Sequence, residues 1–155
     1  MLGHTIFADV IWPALFLESR LRSTWIILAG LFIEYFVVWR VTSLGAWRSI
    51  LADVAINIAS TVLGIVLIPL AGLAWEFFPG TLIYKVFFIG TFNPGTWAVT
   101  FLMAVLINAA VEMSVLRIWF QQHFGKDLFG WLCLANALSV GLAMASFLIY
   151  PARRY

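Results

Sequence analysis

The stretch "TWIILAGLFIEYFVVWR", residues 24–40, is apolar almost throughout, yet it carries one acid, Glu34, in its interior and closes on Arg40. A second stretch, "WAVTFLMAVLINAAVEMSVLR", residues 97–117, repeats that plan with Glu112 and Arg117. A water-facing helix shows a polar face at every turn, and neither stretch has one. Each is long enough, at about 1.5 Å per residue, to approach the roughly 30 Å of a bilayer core. Two further stretches qualify, "LADVAINIASTVLGIVLIPLAGL" at 51–73 and "LFGWLCLANALSVGLAMASFLI" at 128–149. The fold expected is therefore an all-α integral membrane protein with four transmembrane helices.

Composition agrees. Of the 155 residues, 64% are hydrophobic and only 10% charged, against about a quarter charged in soluble domains. Most of the surface must then face lipid. The net charge of +2 is small and scattered, so nucleic acid is not an expected partner. Cys133 is the single cysteine, which excludes an internal disulfide and any paired-cysteine metal or redox motif.

The N-terminal stretch, residues 1–23, has no basic n-region and places Asp9 in its apolar part, unlike a signal peptide. It is expected to lie in the interface as a short amphipathic helix broken or started by Pro13. Between the second and third spans, "WEFFPGTLIYKVFFIGTFNPGT" is too apolar for a solvated loop, but Lys85, Pro79-Gly80 and Asn93-Pro94-Gly95 argue against a fifth span. A second interfacial or re-entrant helix is expected around residues 81–89.

The halves correspond. Each opens with an aromatic-proline segment, enters its first span through Thr-Trp (Thr24-Trp25, Thr96-Trp97), and carries Asn-x-x-Ser in its second span (Asn57 with Ser60, Asn136 with Ser139). The chain is thus expected to be one membrane domain, residues 1–155, with repeats of about 1–73 and 74–150. An even number of spans per repeat gives both the same direction, related by a two-fold along the membrane normal.

Antiparallel pairing would bring Glu34, Asn57, Glu112 and Asn136 to one depth. Helical spacing adds Asn108, four residues before Glu112, along with Ser60 and Ser139. These seven residues form the expected intramembrane polar layer. The stripes Asp53, Asn57, Ser60 or Thr61, Gly64 and Asn136, Ser139, Ala143, Ser146 are expected to face each other, since small and polar residues line membrane helix contacts. Two ionised carboxylates in such a layer would lose hydration and repel each other. At least one is therefore expected to hold its proton and donate to an Asn oxygen. Arg40 and Arg117 are the candidate counter-ions, reaching inward from the interface.

No metal or cofactor is expected. Di-iron carboxylate bundles need Glu-x-x-His, which the chain lacks; His4 and His123 have no ligand spacing, and no serine nucleophile or phosphate loop is recognisable. Trp25, Trp39, Trp97, Trp119 and Trp131 stand near span ends as an aromatic belt. Basic residues divide five (Arg20, Arg22, Lys85, Arg153, Arg154) to four (Arg40, Arg48, Arg117, Lys126) between the two sides, so both termini are placed on the cytoplasmic side.

In size and span number the chain resembles immunity proteins against pore-forming bacterial toxins, a likeness of architecture only. Small multidrug transporters also embed a Glu in the first of four spans, but without the second copy found here. The function expected is non-enzymatic: an accessory, scaffold or partner-binding protein of a bacterial inner membrane, possible immunity types included. Its partners would be lipid and another protein or a second copy. The alternative is a small proton- or cation-coupled transporter or channel using Glu34 and Glu112.

Overall fold

The computed structural model describes residues 14, 17, 20–87, 93–123 and 125–149, with the side chains of 147–149 left aside. Among the described residues every regular element is helical: α1 (Thr24–Val41), α2 (Ala46–Trp75), a π-helical turn (Glu76–Gly80), α3 (Thr81–Phe87), α4 (Pro94–Phe120) and α5 (Lys126–Ile149). The expected all-α architecture is observed. Four of its helical stretches are long and apolar enough to cross a membrane, which makes the chain a multi-pass membrane protein by length and composition.

Helix ends extend beyond the apolar runs because hydropathy marks the hydrocarbon part of a helix and not its caps. α4 starts at Pro94 rather than Trp97 because the Asn93 side chain accepts from the Thr96 backbone N–H at 3.0 Å, with Pro94 occupying the first turn. The Asn93-Pro94-Gly95 turn signal is thus a helix cap. The other end of α4 closes at Gln121, which takes the left-handed conformation (φ 54°) that stops a helix.

The middle segment is the main departure from expectation. α2, the π turn and α3 run on as one helical stretch, Ala46–Phe87, of 42 residues. Drawn straight it would span about 60 Å, twice a bilayer core of about 30 Å. The π turn sits at Pro79, which has no N–H to offer the carbonyl four residues back, so the turn widens and Thr81 N–H and Oγ1 close on the Glu76 carbonyl. Where an interfacial or re-entrant helix is expected around 81–89, a helix is observed over Thr81–Phe87, continuous with α2 through the π turn; residues 88 and 89 lie outside the described residues. So do His4, Asp9 and Pro13 of the expected N-terminal helix, although Ala14 and Leu17 are buried and Ala14 packs on α2 at Gly72. A Cβ at Gly72 would stand 3.1 Å from that of Ala14, so glycine permits the approach.

Short links at residues 42–45 and 121–125 make α1–α2 and α4–α5 antiparallel neighbours. The principal contacts run in a ring, α1 to α2, α2 to α4, α4 to α5 and α5 back to α1. A two-fold relating the halves maps this ring onto itself.

Each helix buries a narrow stripe. On α1 it is Ile26, Gly30, Glu34 and Val38, one residue per turn; on α2 it is Ser49, Ala52, Asp53, Ile56, Ser60, Gly64 and Ile68. The outer faces carry large apolar residues such as Phe32, Ile58, Leu102 and Leu138, all exposed. Small and polar residues inside with bulky apolar ones outside is the distribution a lipid solvent permits. Exposed Trp39, Trp47 and Trp119 cluster at the linked end and Trp25 at the other, as interface anchors do.

Candidate functional site

Glu34 and Glu112 point into the bundle, 3% and 1% exposed. Each meets the asparagine of the following span. Asn57 Nδ2 donates to Glu34 Oε2 at 2.6 Å, and Asn136 Nδ2 donates to Glu112 Oε2 at 2.7 Å. The second hydrogen of each amide goes to the carbonyl four residues back, Asp53 O and Leu132 O, both at 3.0 Å. Ser60 Oγ and Ser139 Oγ donate to the carbonyls of Asn57 and Asn136 at 3.3 and 3.2 Å. These three bonds therefore recur in both halves, at corresponding residues.

These bonds run opposite to the expected direction: the amide donates and the carboxyl accepts. The amide nitrogen is fixed in that role because it also faces a helix carbonyl, which only a donor can satisfy.

The layer is joined across the halves as well. Ser139 on α5 packs beside Gly30 and the Glu34 carboxyl on α1. Glu34, Asn57, Ser60, Asn108, Glu112, Asn136 and Ser139, the seven residues expected in the layer, all line one cavity of about 70 Å³ between the four long helices. Space of that size holds a few water-sized groups. The cavity extends along α2 from Asn57 to Ile68 and is bordered by Leu21 and Arg22 at the start of α1. Eleven residues of helix give it a depth of about 16 Å. Toward the linked end the bundle is filled by Val38, Leu44, Ile56, Met113, Leu116, Leu128 and Leu132, which leave an apolar plug.

Arg40 and Arg117 do not join the layer. Both are exposed, and both carboxylates take amides instead. The spacings explain this: six and five residues at about 100° each turn each arginine well away from the face of its glutamate.

Two features were missed as site residues. Asp53 is 4% exposed and contacts Asn57 Nδ2 through Oδ1 at 3.3 Å. It adds a third acid that the second half replaces by Leu132. Its place one turn before Asn57 was the available signal. The other feature lies at the opposite end of α2, where Tyr84 OH donates to Glu76 Oε1 at 2.8 Å and meets Thr96 Oγ1 at 2.7 Å. Asn93 Nδ2 donates to the same Thr96 hydroxyl at 2.9 Å. This chain of bonds ties α3 and the π turn to the start of α4. An acid ending an apolar run three residues before a proline was its only trace in the sequence.

Among the described residues, no group of three or more His, Cys, Asp or Glu side chains is placed to hold a metal ion. His123 is exposed beyond the end of α4, and Cys133 is a partly buried packing residue. Comparison with known protein families, characterised proteins and solved structures yields no match to this chain.

Proposed function

We propose that this is a non-enzymatic multi-pass membrane protein of accessory or scaffold type, its helix pairing set by two intramembrane Glu–Asn clasps. The carrying observation is the duplicated bond set, Asn57 to Glu34 and Asn136 to Glu112. Lipid does not drive helices together as water does, so polar bonds and close packing must choose the pairs. A clasp in each half pairs α1 with α2 and α4 with α5, and Ser139 beside Glu34 closes the ring. The partner of such a scaffold would be another membrane protein or a second copy.

A second reading, a small proton- or cation-coupled transporter, is favoured by the cavity that runs from the Arg22 end to both carboxyls. Buried intramembrane acids often mark such paths.

Replacing Glu34 and Glu112 together by Gln separates the two. Gln keeps an oxygen to accept from each Asn, so the scaffold reading expects a folded variant that still captures whatever partner the wild type captures in native lipid. Wild-type flux of protons or alkali cations in reconstituted vesicles, abolished in a folded Gln variant, would replace the scaffold reading by the transporter one.

A further inference from the structure

We infer that the central cavity is an aqueous cleft, entered through the seam between α1 and α2 from the end of the bundle where α1 and α4 begin. The clasps need no such opening, and the cleft stands whether or not anything is carried through the bundle.

Exposure of the lining locates the mouth. Of the described residues around the cavity, Arg22, Ile27 and Thr61 are exposed, and all three flank the seam between α1 and α2. The residues that α4 and α5 contribute are buried or partly buried. Leu17, Ile26 and Ile68 pack together nearby, so the mouth lies to the side of the bundle, beside Arg22. The duplicated plan supplies a comparison. Ile27 stands seven residues before Glu34, as Val105 stands seven before Glu112, and Thr61 follows Asn57 by four, as Val140 follows Asn136. In the second half these positions are closed: Val105 and Val140 are 6% and 0% exposed and belong to one packed cluster with Ala143. In the first half Ile27 is 38% exposed, and Gly64 stands where the second half has Ala143. A seam shut by apolar packing in one repeat is open in the other.

What fills the opening follows from Asn108, which lies near the middle of the apolar run of α4. Its amide lines the cavity, with Oδ1 3.8 Å from where a Cβ on Gly64 would stand, and makes no hydrogen bond among the described residues. Nor is it sealed in. Among the described residues, the one buried side-chain nitrogen or oxygen without a partner is Trp75 Nε1, so the Asn108 amide stands open to the cavity. Hydrocarbon offers an amide no partner, and leaving it bare there is costly. Water satisfies it, and a polar space of about 70 Å³ has both the room and the bonding groups that water needs. Toward the linked end, Val38, Ile56, Leu116 and Leu132 are all 0% exposed and fill the bundle. Water reaching Glu34 and Glu112 therefore comes from one side, and the two carboxyls exchange protons with that aqueous phase alone.

The test labels single cysteines with a small hydrophilic methanethiosulfonate, using the full chain in lipid vesicles and a Cys133→Ala background. Free cysteine trapped inside quenches reagent that crosses the bilayer. Thr24→Cys and Ser43→Cys mark the two ends of α1 and report the prevailing orientation. Thr61→Cys and Asn108→Cys, neither of which removes a clasp bond, are compared with Ile58→Cys on the lipid face and Val140→Cys in the closed seam. The reacting thiolate forms in water and not in hydrocarbon, so the first two should react at least about tenfold faster than the controls. Their labelled fraction should follow Thr24→Cys and not Ser43→Cys. Thr61→Cys carries the test alone if Asn108→Cys does not fold. Rates no faster than at Ile58→Cys, meaning that lipid fills the seam, or labelling that follows Ser43→Cys, overturns the proposal. Clasp strength is read separately by unfolding, so a failed clasp and a failed cleft give different results.

Discussion

Replacing Glu112 or Asn136 by leucine tests the clasp at its better-buried copy. Each single change leaves the other partner in place, 1% exposed and lacking the bond that held it. Hydrogen bonds to charged groups contribute about 1.5–3 kcal/mol in soluble proteins, whereas intramembrane bonds average about 0.6 and reach about 1.7 kcal/mol. A short bond between two fully buried groups belongs near the upper membrane value, so the expected coupling is about 1.5 kcal/mol. The double variant should recover most of what either single variant loses, because two leucines facing each other need no partner. For Glu34 and Asn57 the coupling should be smaller, about 0.5–1 kcal/mol on the same scale, since Asn57 is only partly buried and shares its hydrogens with Asp53. As a control, Glu112→Leu combined with Tyr84→Phe should be additive within about 0.3–0.5 kcal/mol, the two lying in separate polar clusters. Unfolding equilibria in bicelles, with secondary structure followed by circular dichroism, supply the four corners of each cycle. Additive Glu112 and Asn136 effects would refute the reasoning, because the bond would then contribute nothing to pairing.

Two further outcomes follow from particular contacts. Tyr84→Phe removes the hydroxyl bridging Glu76 and Thr96, and should cost about 0.5–1.5 kcal/mol locally, seen as faster amide hydrogen exchange over 81–87 with α1 and α5 unchanged. Gly30→Ala should be nearly neutral, since its Cβ would meet only Ser139 Cβ at 3.7 Å and Glu34 Oε1 at 3.9 Å. Gly30→Leu, by contrast, overfills the α1–α5 contact and should lower stability by about 1–3 kcal/mol in the same unfolding assay.

Much of the site was legible before any coordinates. Glu34 and Glu112 stood out because an acid inside an apolar run has few reasons to be there, and the Glu-to-Asn separations of 23 and 24 residues matched across the halves. The exclusion of the arginines could have been read from their spacing to the glutamates, but the cavity and the sense of the hydrogen bonds were not legible. Both depend on how far each helix is rotated about its axis, which local sequence does not specify. Arg40 follows Glu34 closely in the chain, yet on the built helix it is exposed while Glu34 is buried.

The chain by itself determined the all-helical class, the four stretches long and apolar enough to cross a membrane, and the recurring Glu and Asn-x-x-Ser positions. These follow from hydropathy summed over about twenty residues and from residue types recurring in order. Only the tertiary structure decided which oxygen meets which nitrogen, that Asp53 joins the acids, and that the helix after the second span continues through a π turn to be tied down by Tyr84. Those outcomes rest on close packing of Gly30, Ser60, Gly64, Ser139 and their neighbours around one polar space, a property of four helices together that no single segment carries.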